Sequence, residues 1–131
     1  KLHKQAAKDG EEAVRYSSMS PLNTPEKHGL LTAIDLDSGE IVWQVKTENP
    51  LIGGVLSTAS GLVFTGEGSG ELMAFDADSG EKRWSGKTEA GVNAPPITYS
   101  VNGKQYIAVA VGGNRLFGFK TGQKIRAWSL P

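Results

Sequence analysis

Residues 29–48 read GLLTAIDLDSGEIVWQVKTE and residues 70–89 read GELMAFDADSGEKRWSGKTE. At an offset of 41 the two stretches agree at twelve of twenty positions, which unrelated segments do not do by chance. The shared frame is Ala33, Asp35, Asp37, Ser38, Gly39, Glu40 and Trp43 in the first copy, and Ala74, Asp76, Asp78, Ser79, Gly80, Glu81 and Trp84 in the second. Each copy divides into two β-prone runs around Asp-Ser-Gly, at 31–35 and 41–45 in the first. Asp there can close an Asx turn, and Gly can take the positive φ of a tight return. Each copy therefore predicts a hairpin, and the period with its fixed Trp predicts a stack of repeated four-stranded units.

Reading outward, 54–59, Ser60-Gly61 and 62–65 form a second hairpin between the copies, so 53–89 holds four strands in meander order, one complete propeller blade. Residues 29–48 are then the end of a preceding blade. Downstream come 97–101, the Asn102-Gly103 signal of a type I′ turn, and 104–111 with Ile107, Val109 and Val111 on one face of a period-two pattern. The run IRAWS at 125–129 resembles LMAFD at 72–76, the third strand of a blade, so 95–131 reads as a blade lacking its outer strand. The expected fold is all-β: a partial β-propeller of about two blades of four-stranded antiparallel meander. Its open blade faces and unpaired edges point to a fragment of a larger ring and, for the isolated chain, to self-association. Residues 1–28 fit no blade. Weak helical spacing over 4–16 is interrupted by Gly10, and Pro21 and Pro25 follow, so this stretch is expected to be an irregular arm or insertion with one or two helical turns.

Composition supports this reading and narrows function. Seventeen Gly and six Pro in 131 residues disfavour long helices, while 38% hydrophobic residues suffice for short strands. Fourteen basic and fourteen acidic residues cancel, without the positive excess that holds a protein on phosphate backbones, so nucleic acid is not an expected partner. The absence of Cys excludes disulfides, thiolate metal sites and Cys nucleophiles. No stretch approaches about 18 consecutive apolar residues. Residues 1–10 lack a signal-peptide core, so a signal on an exported protein would be upstream or removed.

Several residues invite a chemical reading. Gly66-Glu67-Gly68-Ser69-Gly70 is glycine-rich, but a strand and not a helix follows it, so it reads as a hairpin tip rather than a phosphate cradle. Asp35, Asp37, Asp76 and Asp78, with Glu40 and Glu81, are carboxylates on short hairpins, explained by turn chemistry better than by a calcium shell of six to eight oxygens. His3 and His28 have no partner at ligand or dyad spacing, and no nucleophile elbow is present. No catalytic or metal-ligating residue is assigned in this chain. Trp43 and Trp84 are expected to fill the wedge between blades, each N–H reaching a backbone carbonyl. Gly53-Gly54 and Gly112-Gly113-Asn114 would open at the same end of a propeller, where glycines let backbone approach a ligand.

The repeated Ala-x-Asp-x-x-x-Gly-x-x-x-Trp, followed by Asn102-Gly103-Lys104-Gln105-Tyr106-Ile107 and Gly112-Gly113-Asn114, resembles the C-terminal end of the quinoprotein dehydrogenases that use pyrroloquinoline quinone (PQQ). The stretches 50–59 and Asn93-Ala94-Pro95-Pro96 narrow the resemblance, over about 29–131, to the alcohol- and glucose-oxidising branches of that eight-bladed family. It implies an exported, periplasmic bacterial enzyme with PQQ and a calcium or lanthanide ion on the propeller axis. The partners implied are the remaining blades and an electron acceptor, cytochrome c or ubiquinone. The family's catalytic base, metal carboxylates and adjacent-cysteine disulfide lie upstream of the matched segment, so the chain alone is expected to be inactive. Its cofactor contacts are expected from Ile52, Gly53, Gly112, Gly113 and Asn114. Ile52 and Asn114 stand where several methanol-oxidising relatives place Trp, which argues against a methanol-type site. The alternative is a non-catalytic propeller scaffold that binds proteins, as in the outer-membrane assembly lipoprotein. A free-standing β-domain that pairs its edges by oligomerising is a third reading.

Overall fold

The computed structural model describes residues 27–130, together with the backbone of two short strands, β1 (His3–Lys4) and β2 (Tyr16–Ser17), which pair with each other. The remainder of the arm, including the expected helical turns, lies outside the described residues. From residue 27 onward the chain is β3 (Gly29–Ile34), β4 (Ile41–Thr47), β5 (Val55–Ser57), β6 (Leu62–Glu67), β7 (Glu71–Asp76), β8 (Lys82–Lys87), β9 (Ile97–Val101), β10 (Lys104–Val111) and β11 (Lys124–Ser129). These strands form three antiparallel sheets, β3-β4, β5-β6-β7-β8 and β9-β10-β11, each in meander order. The all-β, partial-propeller expectation is what the chain adopts, and no α-helix occurs among the described residues.

The repeat holds down to individual hydrogen bonds. Asp35 Oδ1 accepts from the backbone N–H of Asp37 (3.1 Å) and Ser38 (2.7 Å) and from the Ser38 hydroxyl (2.9 Å). Asp76 Oδ1 does the same with Asp78 (3.1 Å), Ser79 N–H (3.0 Å) and the Ser79 hydroxyl (3.0 Å). Gly39 and Gly80 close the two turns at the same φ of 72°. The carboxylates are thus occupied by their own turns, and the Ser38 and Ser79 backbone N–H groups, foremost, hold Asp35 and Asp76 below the usual carboxylate range. The β3-β4 ladder shifts register after Ala33, and β7-β8 shifts after Ala74, the equivalent place.

Alternation along β7 sends Met73 and Phe75 to one face of the central sheet and Leu72 and Ala74 to the other. The first face packs with Leu31, Trp43 and Val45 of the β3-β4 sheet, the second with Ile107, Val109 and Val111 of β10. Trp43 closes the first of these interfaces: its indole N–H donates to Ala77 O at 2.8 Å, and its ring covers Gly80, where an added Cβ would lie 2.8 Å from the ring. Trp84 meets Trp128 edge-on, centroids 5.6 Å apart.

Two local differences from the sequence reading have clear causes. The strand expected over 54–59 stops at Ser57, because Thr58 turns the chain: its N–H donates to Leu62 O and its carbonyl accepts from Gly61 N–H. Between β10 and β11 a short 3-10 turn, Arg115–Phe117, appears without having been indicated by the apolar pattern. Its signal lies in the flanking residues, since the Asn114 side chain caps its start and Gly118, at φ 73°, ends it.

Candidate functional site

Four connections gather at one end of the sheets: 48–54 entering β5, the β6-β7 hairpin, 88–96 entering β9, and the β10-β11 loop. In an up-and-down meander these lie at the same end because each follows or precedes a strand of the same direction. Backbone hydrogen bonds sew them together. Gly91 N–H donates to Lys120 O (3.0 Å), Gly113 N–H to Gly91 O (2.8 Å), Gly122 N–H to Gly112 O (3.0 Å), and Val92 N–H to Glu67 O (3.0 Å). Thr47 and Thr88, equivalent in the repeat, fasten the two entering loops alike, with hydroxyls donating to Asn49 O (2.8 Å) and Ala90 O (2.7 Å).

The glycines in these loops are present for close approach. A Cβ on Gly53 would stand 3.2 Å from Ala94 O and from the carbonyl carbon of Asn93. A Cβ on Gly91 would stand 3.2 Å from Gly113 Cα, and Gly68 carries the ring of Phe119 directly on its Cα. Gly113 itself, at φ 66°, lies against Lys120 and Thr121. Gly112 differs, since a Cβ there would meet nothing within 4 Å. The five sequence-predicted residues therefore fall on one end but not in one contact. Ile52-Gly53 and Gly112–Asn114 are bridged by 91–94, a segment the sequence reading left out of the site. Asn114 carries a structural duty, its Oδ1 accepting from Leu116 N–H at 3.0 Å.

Asn93 is the unusual polar residue in this bridge. Both its side-chain nitrogen and its oxygen are buried, and neither has a partner among the described residues. Glu67, 5% exposed, is the buried carboxylate nearby. Among the described residues no three of His, Asp and Glu converge as a metal cage. A crevice of about 300 Å³ between the first and second sheets is lined by Val45, Thr47, Met73 and Phe75 together with Glu67 and Glu71.

Comparison with known proteins agrees with this architecture. Residues 3–107 match the family model for the β-propeller domain of PQQ-dependent glucose/ethanol/alcohol dehydrogenases. The quinoprotein ethanol dehydrogenase of Pseudomonas aeruginosa is 50% identical over 84 residues, 64% of this chain and 14% of that protein. The quinoprotein glucose dehydrogenase of Escherichia coli is 35% identical over an alignment of 136 positions, 86% of this chain and 17% of that protein. The crystal structure of the quinohemoprotein alcohol dehydrogenase from Comamonas testosteroni superposes with a TM-score of 0.68 at 33% identity, over 89% of this chain and 18% of that one. The chain thus spans less than a fifth of each of these relatives. With the repeated Trp-bearing hairpins and the stacked meander sheets, these matches identify the chain as a member of the PQQ-dependent glucose/ethanol/alcohol dehydrogenase β-propeller family.

Proposed function

We propose that the protein carrying this chain is a PQQ-dependent dehydrogenase that oxidises an alcohol or sugar hydroxyl in the periplasm and passes the electrons to a cytochrome or to ubiquinone. In this reading the chain forms one part of the rim around the cofactor. Backbone at Ile52-Gly53 approaches from one side and Gly112–Asn114 from another, with 91–94 between them. PQQ, when bound beside a calcium or lanthanide ion held by other parts of the protein, supplies the two-electron acceptor for the substrate carbon.

The observation that carries the reading is the meeting of four glycine-bearing connections at one end, with open space left at Gly112. A flat heterocycle rich in carbonyl and carboxylate oxygens fits such a rim, because the backbone at Gly112 leaves open space where its edge can approach closely. Ile52 contributes apolar cover that keeps water from the ring. The two Asp-Ser-Gly hairpins, after β3 and β7, stand at the opposite end of the sheets and take no part.

The test is reconstitution of the full-length protein with PQQ and calcium, followed by dye reduction across primary alcohols, polyols and aldoses. Reduction that requires both PQQ and metal is expected. Gly112→Leu should fold normally, since its Cβ meets open space, yet retain PQQ about tenfold more weakly, as when a group is forced into a preorganised site. Unchanged retention in that variant would remove the loop from the site. No reduction, and no PQQ kept after desalting, would instead favour the protein-binding scaffold.

A further inference from the structure

The two blade interfaces of this chain can be compared position by position. The repeat places Asn49 opposite Ala90 in sequence, each fastened through its carbonyl by a Thr hydroxyl. The ladders place Glu67 opposite Val111: Glu67 pairs with Glu71 at the start of β7, and Val111 pairs with Lys124 at the start of β11. At the second interface this pair is apolar, and Ala90 and Val111 are buried in the same cluster at 1% and 0% exposure. At the first interface it is polar: Glu67 Oε1 accepts from the backbone N–H of Asn49 at 2.9 Å. The fold can therefore close this position without a carboxylate. The chain nevertheless buries one, at a desolvation cost that an apolar pair avoids.

Glu67 is also the point where three of the four connections meet. Its Oε2 accepts from the Ser69 hydroxyl within the β6-β7 hairpin, and its backbone carbonyl accepts from Gly70 N–H (3.2 Å) and Val92 N–H (3.0 Å). Through Asn49 it holds the start of the loop that three residues later presents Ile52 and Gly53. A hydrogen bond to a carboxylate is more directional than apolar contact, so it sets where a loop stands as well as holding it down.

We propose that Glu67 is a positioning residue for the cofactor-facing loop 49–54, fixing the place at which Ile52 and Gly53 meet PQQ. This role rests on the cofactor reading above.

The test uses the full-length protein and four variants: Glu67→Gln, Glu67→Val, the double variant Asn49→Ala with Glu67→Val, and Gly112→Leu. Three quantities are read: the melting temperature of the PQQ-free protein, the PQQ dissociation constant by fluorescence quenching, and amide hydrogen exchange over 49–54. The double variant places Ala and Val at the two positions, as at the second interface, and loses only the hydrogen bond from the backbone N–H of residue 49, so its melting temperature should fall by a few degrees at most. Its loop amides should exchange faster and its PQQ affinity fall about tenfold, the usual loss when a ligand's supporting partner is removed. Glu67→Gln keeps an oxygen for Asn49 N–H and should retain affinity near the wild type. An unchanged dissociation constant in the double variant, while Gly112→Leu weakens binding, would overturn the positioning role alone. Affinity lost in step with melting temperature in every variant, Gln included, would make Glu67 a stabilising group only. A wild-type protein that retains no PQQ would overturn the cofactor reading and this role with it; fast loop exchange confined to the Val variants would then still identify Glu67 as the loop's brace.

Discussion

Glu89 lies just beyond β8 and ties the central sheet to β11. Arg126 places Nη2 at 2.9 Å and Nε at 3.0 Å from its Oε2, and Lys124 Nζ stands 3.2 Å from Oε1. A hydrogen bond from its own backbone N–H, then Arg126 and Lys124, outweigh partial desolvation and lower its pKa from 4.5 to about 2. A carboxyl held lower in the folded than in the unfolded state adds stability above the unfolded pKa and loses it as pH falls through the folded one. The urea midpoint should therefore drop between about pH 4.5 and 2, and Glu89→Gln should flatten that part of the profile. An identical slope in the variant would show that other groups carry the acid sensitivity. Neither this pairing nor the Asn49–Glu67 contact was legible in the sequence. An acid flanked by glycines reads as a wet hairpin tip, and only the approach of a loop 18 residues away buries it.

Elements were far more legible than such contacts, because their signals are local. The alternation of Ile107, Val109 and Val111 is a property of neighbouring residues, and β10 runs over the expected 104–111 with all three buried. The Asp-Ser-Gly turns carry their own hydrogen bonds, so two copies of the motif fold alike in different surroundings. That likeness allows a controlled experiment. Gly39 and Gly80 share a φ of 72°, so Ala at either incurs the left-handed strain of roughly 1–2 kcal/mol. Around Gly39 nothing lies within 4 Å, whereas at Gly80 the Trp43 ring would be 2.8 Å from the new methyl. Trp43 is anchored through Ala77 O and cannot swing aside freely. Gly80→Ala should cost about 1–3 kcal/mol more than Gly39→Ala in denaturant unfolding, the overpacking increment. Equal costs would mean that Trp43 does not set the docking of the first two sheets. The site loops lacked such local signals: glycines marked close approach without saying to what, and the bridge at 91–94 emerges only when the sheets stack.

At the scale of the whole molecule, three sheets stacked in a row bury both faces of the central one and only one face of each neighbour. Alternation along β9 puts Ile97, Tyr99 and Val101 on the outer face of the third sheet, with Tyr106 stacked on Tyr99 at 5.4 Å and Ile125 beside Ala110. Ile97 is 58% and Ile125 77% exposed, and no described residue covers them. At the other end of the row, Leu30 and Val42 face outward at 49% and 58%. A contiguous apolar face of this kind marks a surface that associates, and β9 and β11 add unpaired ladder edges. The 131-residue chain on its own should therefore self-associate, its weight-average mass in light scattering rising with concentration. Tyr99→Lys combined with Ile125→Lys places charge on one outer face without touching either buried cluster, so it should lower the mass at equal concentration while leaving the β-sheet circular dichroism intact. A chain that stays a sharp monomer at all concentrations would show that these faces are covered from within, and the stack would then have to be read as closed rather than open.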